Sequence, residues 1–428
     1  MSSDAISRIL DGIPIPPMAR IRQHLPEETL PDVAAAARTA MDREVLRKKI
    51  RPGMRVAITA GSRGIFGMKD MLREAAAFVR SCGGDPFLIP AMGSHGGATA
   101  DGQRDVLTRY GITEETVGAP IRATMETVKI GELPDNTPVY IDRYAAEADG
   151  IILVNRIKCH TGFRGRYESG LFKMMAIGLG KQYGAQTVHG RGADKMGESI
   201  ELFGKAILQN ANVLLGLAVI ENAIDMPYQI VALTPQEIID QEPDYLTLAR
   251  QLMPRILFDN LDVVIVDYFG KEISGAGVDP NVTHTYKYAS GIPLDGRARQ
   301  VAVLDLTKQS HGNAHGVGVM DLITKRFFDK IDPDITYANS LTTGGTEVPK
   351  IPMYLPNQRM CIQAAIHCAQ GADREKLRMV RIRDTMHLKE IQVSPALLEE
   401  ARGNPAFDIL EEPTPLVFDS QGDLFPSK

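Results

Sequence analysis

The sequence predicts an α/β protein of two domains, with mainly parallel sheets and an active site in the interdomain cleft. Three observations lead there. The chain has 428 residues, 44% hydrophobic and 24% charged, which at roughly 100–200 residues per domain is enough for two or three closed cores. Short β-branched runs alternate with helical patterns, the grammar of a parallel sheet. Polar, glycine-rich loops come after the strand-like runs, where open α/β sheets bind their ligands.

In chain order, residues 56–59 read as a buried strand leading into the glycine-rich turn at 60–64. A helix comes next, with Met68, Met71, Leu72, Ala75, Phe78 and Val79 on one face and Gly83-Gly84 as its stop. Residues 86–90 are the next strand and 91–97 the loop after it. A third strand at 150–155 ends in Lys158-Cys-His-Thr161. A helix at about 194–209 precedes a strand at 213–220. Thr234, Pro235 and Glu237 form an N-cap, a proline at the first helical position and a capping box. Pro243 and Pro254 are expected to interrupt the helical pattern beyond that cap, so 234–258 reads as a helical connector. Runs at 262–267 and 300–305 start a second α/β unit, and Ser394-Pro395 opens a late short helix. The expected division is an N-terminal domain at 1–233, the connector, and a C-terminal domain at 259–409. The tail, 410–428, is expected to pack back on the first domain.

Composition narrows the function. Lys and Arg total 48 against 53 Asp and Glu, a net charge of -5, so nothing points to nucleic acid. The four cysteines (Cys82, Cys159, Cys361, Cys368) form no CxxC pair and suit a reducing compartment. The first ten residues lack the basic and apolar regions of a signal peptide. The longest apolar stretch, 213–220, is far short of the ~18–20 residues that span a bilayer. A cytoplasmic protein acting on a small molecule, without membrane contact, is the expectation; the sequence sets no oligomeric state.

Of nine histidines, three (His95, His160 and His189) fall in first-domain strand-end loops or beyond a glycine-rich turn, which suits proton transfer or metal ligation near neutral pH. Their spacing is not that of a zinc site. The stretch 169–173, Ser169-Gly-Leu-Phe-Lys173, puts a lysine just inside a helix that begins with small residues. Free backbone N–H groups at such a start favour a phosphate. The apolar residues after Lys173 suggest an amine of lowered pKa.

Residues 56–190 resemble the nickel-dependent lactate racemase superfamily, the LarA-like 2-hydroxyacid racemases and epimerases. The resemblance implies a nickel-pincer nucleotide, pyridinium-3-thioamide-5-thiocarboxylic acid mononucleotide, tethered to Lys173. It implies that His189, sixteen residues on, ligates the Ni, and that Ser62, Ser169 and Gly170 belong to the cofactor site. It further implies that His95 (in Gly93-Ser-His-Gly) and His160 (in His-Thr-Gly-Phe-Arg-Gly) serve as alternate acid and base, that Arg63 binds substrate, and that assembly enzymes supply the cofactor. The chain departs from the founding enzymes in about three extra residues between His160 and Lys173, a segment that includes Arg164, Arg166, Tyr167 and Glu168. It has Ala60 where those enzymes carry an aspartate, and no tryptophan for an aromatic wall. In the second domain the polar loops at 270–281 and 310–315 offer Lys271, Asn313 and His315 as substrate contacts. The alternatives are an oxidoreductase or metal enzyme of another class on this scaffold, or a non-catalytic cofactor-binding protein. A dehydrogenase would need a phosphate-binding glycine turn with an acidic residue ~20 residues on, and no such pattern is found.

Overall fold

The computed structural model describes residues 4–62, 64–285 and 298–424. The chain forms two compact units, one of Pro26–Met253 and one of Met1–Leu25 with Pro254–Lys428. Both are α/β, and their sheets are mainly parallel.

In the unit Pro26–Met253 a five-stranded sheet runs, in spatial order, Asp85–Pro90, Arg55–Ala60, Gly150–Arg156, Val213–Glu221, Pro227–Leu233. The first four are parallel and the last turns back antiparallel. Side chains on a strand alternate between faces, and the core divides accordingly. Val56, Ile58, Ile152 and Val154 pack on one face against the helices Val33–Met41 and Met68–Ser81. Ala57, Ile151 and Leu153 pack on the other with Phe172, Leu179, Val188, Phe203 and Ile238. Both faces are covered, which is why these strands read as unbroken apolar runs.

The second unit holds an eight-stranded sheet in the order Met353–Leu355, Leu322–Thr324, Gln300–Leu306, Val263–Phe269, Met379–Ile382, Glu390–Val393, Met18–Gln23, Phe407–Thr414. The first five strands are parallel, and each pairing after them is antiparallel. Two expectations change here. Residues before 26 belong to this unit, because Met18–Gln23 finds its ladder partners between Glu390–Val393 and Phe407–Thr414. The tail also closes on this unit and not on the first domain: the Arg359 N–H donates to the Gly422 carbonyl (2.8 Å) and the Leu424 N–H to Gln358 Oε1 (2.7 Å).

The expected connector is not a connector. One helix, Pro235–Leu252, runs through Pro243, with the Thr234–Glu237 capping box in place at its start. It packs Ile238 beside Gly216 of the strand Val213–Glu221, which moves the boundary to 253/254. Pro243 removes the N–H that would have bonded the Ile239 carbonyl. Residues of the segment after His160 replace it: the Tyr167 hydroxyl donates to that carbonyl at 2.7 Å, and Arg166 Nη2 at 3.4 Å. Tyr167 is fully buried and stacked on Phe172, ring centroids 3.6 Å apart, and burial pushes its phenol up to about 12. Among the described residues no helix is long and apolar enough to cross a membrane.

Tyr167→Phe leaves the Ile239 carbonyl without its principal donor while keeping the ring stack. The expected loss is about 1–3 kcal/mol, read as a lower urea midpoint at unchanged m-value.

Candidate active site

The strand order of the five-stranded sheet reverses between Arg55–Ala60 and Gly150–Arg156: the chain goes outward from the first to Asp85–Pro90, then crosses back to the other side. The crevice beyond the carboxyl ends of strands at such a reversal is the usual ligand site of an open α/β sheet. The loops after these three strands carry Ser62, His95 and His160.

His95 stands on an exposed loop, its Nδ1 hydrogen-bonded to the Ser62 hydroxyl. The backbone beneath is fixed, the Gly93 N–H donating to the Gly178 carbonyl at 3.3 Å. Gly178 has no room for a side chain, since a Cβ there would come within 2.6 Å of the Ala91 carbonyl oxygen. The His95 loop therefore rests directly on the helical segment beyond Lys173.

His160 is held from several directions. Its N–H donates to Glu168 Oε2 (2.7 Å), its carbonyl accepts from Arg164 Nη1 (2.7 Å), its Nδ1 accepts from the Gly162 N–H (3.0 Å), and the ring stacks on Phe163. Glu168 is buried beneath, paired with Arg164 (3.4 Å) and Arg250 (3.1 Å). In the same segment, Arg166 turns to the Ile239 carbonyl and lies over the Tyr167 ring. Burial holds the His160 imidazole well below its ordinary pKa, and the charges of Lys173, Lys158, His189 and Arg164 add to the effect. His189 is also lowered, by burial and then by Lys173. Lys173, His160 and His189 thus share one electrostatic environment.

That proximity is not what a straight helix would give. Sixteen residues at 1.5 Å each would separate Lys173 from His189 by about 24 Å. The chain instead runs through one turn of helix at Leu171–Lys173, a π-helical stretch at Met174–Leu179, and a break before Lys181–His189. Lys181 takes a left-handed backbone (φ 53°) at the break. Such wide turns and breaks are frequent at functional sites.

Lys181 was not singled out by its sequence, yet it is fully buried with Asp142, Nζ to Oδ2 2.9 Å. Its ammonium also donates to Gln103 Oε1 (3.0 Å) and to the Pro90 carbonyl. Asp142 Oδ1 meanwhile accepts from the Tyr144 and Ala145 N–H groups. Burial lowers the Lys181 pKa and raises that of Asp142; the three acceptors keep the ammonium saturated, as a buried charge requires. The only sequence signal was a charged residue set between Gly180 and Gly184 in an otherwise apolar run.

The start of the helix differs from expectation. Ser169 pairs backbone to backbone with Lys158. Gly170 is extended and lies hard against the Glu242 carboxyl, which a Cβ would overlap. That carboxyl accepts from the Phe172 N–H (3.2 Å) and from Leu171. The N–H groups read as free for a phosphate are therefore capped by the protein's own acid. Asn155 Nδ2 holds the Gly170 carbonyl (2.7 Å).

Arg63 lies outside the described residues. Lys271, Asn313 and His315 come together in the other unit, through bonds to the protein itself. Lys271 Nζ donates to the Gly275 carbonyl and, at 3.3 Å, to that of His315. The His315 N–H donates to Asn313 Oδ1 (3.1 Å), and its Nδ1 pairs with the Ser340 hydroxyl (2.8 Å). Burial, then the Lys271 charge, lowers His315 to about 4. Among the described residues no three His, Cys, Asp or Glu side chains form a metal-holding group.

Residues 19–201 match the family model described as the lactate racemase N-terminal domain. Among solved structures, the lactate racemase apoprotein from Thermoanaerobacterium thermosaccharolyticum is similar at 11% identity and a TM-score of 0.46, over 86% of this chain and 89% of that one. No curated protein matches.

Burial pushes the Glu242 carboxyl up to about 8. Between the ordinary 4.5 and that value the unfolded chain releases a proton that the folded chain keeps, so this group makes stability fall as pH rises through the window. Glu242→Gln keeps an acceptor oxygen and removes the titration. Its unfolding free energy relative to wild type should improve steadily from pH 5 to pH 8; a constant difference across that range refutes the assignment.

Proposed function

We propose that the chain, whose residues 19–201 match the lactate racemase N-terminal domain model, is a LarA-like isomerase that racemises or epimerises a 2-hydroxy acid. The observation that carries this reading is the break at Lys181, which folds the chain so that the Lys173 amine, the His189 imidazole and His160 act on one another.

The donor set fits a tethered cofactor. Lys173 supplies an amine and His189 an imidazole kept neutral by burial, the form that donates to a metal. In this reading Lys173 tethers a nickel-pincer nucleotide and His189 holds its nickel, with Ser62, Ser169 and Gly170 bordering the site. When bound, the cofactor supplies an acceptor for the hydride of the substrate's C–H bond.

The remaining work falls to the chain. The hydroxyl proton of the substrate must leave as the hydride does, and each enantiomer presents its hydroxyl to a different side. Two separately mounted bases meet that need. His95 and His160 come from different strand-end loops, and burial keeps His160 neutral at pH 7, with Nδ1, which accepts from the Gly162 N–H, the nitrogen that can take up a proton. The Ser62 hydroxyl can donate to His95 Nδ1 or accept from it, so either tautomer of that ring is supported. Arg63 is proposed to bind the substrate carboxylate as a two-pronged donor, and Lys271, Asn313 and His315 to contribute substrate contacts. The partners of this reading are the small 2-hydroxy acid and the cofactor-assembly enzymes, in the cytoplasm.

The test is to make the protein together with the family's cofactor-assembly enzymes, then measure nickel content and intact mass. The expected result is about one nickel per chain and a mass adduct on Lys173 that is absent from Lys173→Arg. Unmodified Lys173 under those conditions overturns the proposal. His95→Ala and His160→Ala should each keep nickel yet lose about 10²–10⁴-fold in turnover, measured by polarimetry over a panel of single-enantiomer 2-hydroxy acids.

A further inference from the structure

We infer that Gln103 is a positioning residue for His95, carrying the rigidity of the buried Lys181–Asp142 pair into the proton-transfer loop. The inference rests on the reading of His95 given above.

Gln103 is fully buried on the helix Ala100–Arg109. Its side-chain amide is spent in both directions. Oε1 accepts from Lys181 Nζ (3.0 Å), while Nε2 donates to the Gly93 carbonyl (2.8 Å) and the His95 carbonyl (3.2 Å). Only one orientation works: a flipped amide would set its oxygen against two carbonyls and its NH₂ against an ammonium. The loop also comes close to the backbone of this helix, since a Cβ on Gly96 (φ 68°) would lie 2.6 Å from the Gln103 nitrogen. The His95 ring itself is exposed and bonded to the Ser62 hydroxyl. Packing orients an exposed ring little, so its placement depends on the backbone that carries it together with the Ser62 bond. The Gln103 amide grips that backbone on both sides of Ser94. Lys181, at the break between Lys173 and His189, keeps Asp142 and the Pro90 carbonyl as acceptors when Gln103 is altered, so the tether and ligand should hold while the His95 loop loosens. Catalytic geometry is sensitive to shifts of this kind, with misplacements of about 1 Å costing about 10²-fold.

Two variants test this. Gln103→Met removes all three bonds. Gln103→Glu keeps an acceptor for Lys181 but, when ionised, has no donor for the loop carbonyls. Histidine-labelled protein free of cofactor is examined by NMR, and protein made with the assembly enzymes is assayed for nickel, kcat and KM. The expected result is that the His95 resonance broadens or shifts in both variants while those of His160 and His189 hold. Nickel content and KM should stay within twofold of wild type, and kcat should fall 10- to 100-fold. In Gln103→Glu the loss should deepen as pH rises and the new carboxyl gives up the proton it can donate, at pH values where thermal unfolding shows the fold intact. An unchanged His95 resonance in either folded variant overturns the inference. So does collective loss of all three histidine signals and of nickel, which marks a general structural role. The NMR arm needs neither cofactor nor substrate, so failure to find turnover in wild type counts against the proposed activity and leaves this result readable. If Gln103→Met does not fold, Gln103→Glu is judged by the same outcomes.

Discussion

The Lys181–Asp142 ion pair is the constraint that sets the geometry of the site. Taking two charges fully out of water is unfavourable, and such a pair persists only when its remaining hydrogen-bonding capacity is met. Here further partners come from three separate places: the end of the strand Asp85–Pro90 through Pro90, the helix Ala100–Arg109 through Gln103, and the turn after Pro138–Asp142 through the Tyr144 and Ala145 N–H groups. A left-handed backbone at a non-glycine residue is disfavoured by sterics. At Lys181 it is maintained because leaving it would strand a buried ammonium, and removing one partner of such a pair typically costs about 3–5 kcal/mol. The break then decides that the Lys173 charge reaches His189.

A second constraint runs beneath the first. The helix Pro235–Leu252 supplies Glu242, which caps the start of the lysine-bearing helix, and Arg250, which pairs with the Glu168 that holds the His160 backbone. The same helix contains a proline, and the carbonyl that proline orphans is answered by Tyr167 from the segment it supports. Support is therefore reciprocal: the residues after His160 stabilise the helix, and the helix fixes the loop that carries His160. The segment that carries Arg164, Tyr167 and Glu168 thus has a structural task in this fold.

Much of the fold was legible in the sequence because strands covered on both faces leave continuous apolar runs. The strands at 56–59, 86–90, 150–155 and 213–220, the helix with Met68 and Val79 on one face and the Thr234–Glu237 capping box all lie where local chemistry puts them. The domain boundary and the tail were not legible. The strands Met18–Gln23 and Phe407–Thr414 pair across nearly four hundred residues of sequence, and nothing local to either names its partner. Pro243 read as a helix breaker for a sound local reason, which a distant hydroxyl overrides.

For the site, the order of amino acids is enough to establish the chemical inventory: which histidines come after which strands, an amine sixteen residues before an imidazole, and a motif resemblance naming a family that the N-terminal domain match supports. It takes the folded chain to bring Lys173 and His189 into one environment, since spacing along a helix argues for distance and the kink comes from a buried charge seeking acceptors on other segments. Folding also singles out Lys181, Asp142, Gln103 and Glu242, because a lysine, an aspartate, a glutamine and a glutamate are ordinary surface residues until their burial is seen. The physical reason is common to all of these cases. Hydrogen-bond satisfaction of buried polar groups is a property of the folded neighbourhood, and sequence records the groups without recording who answers them.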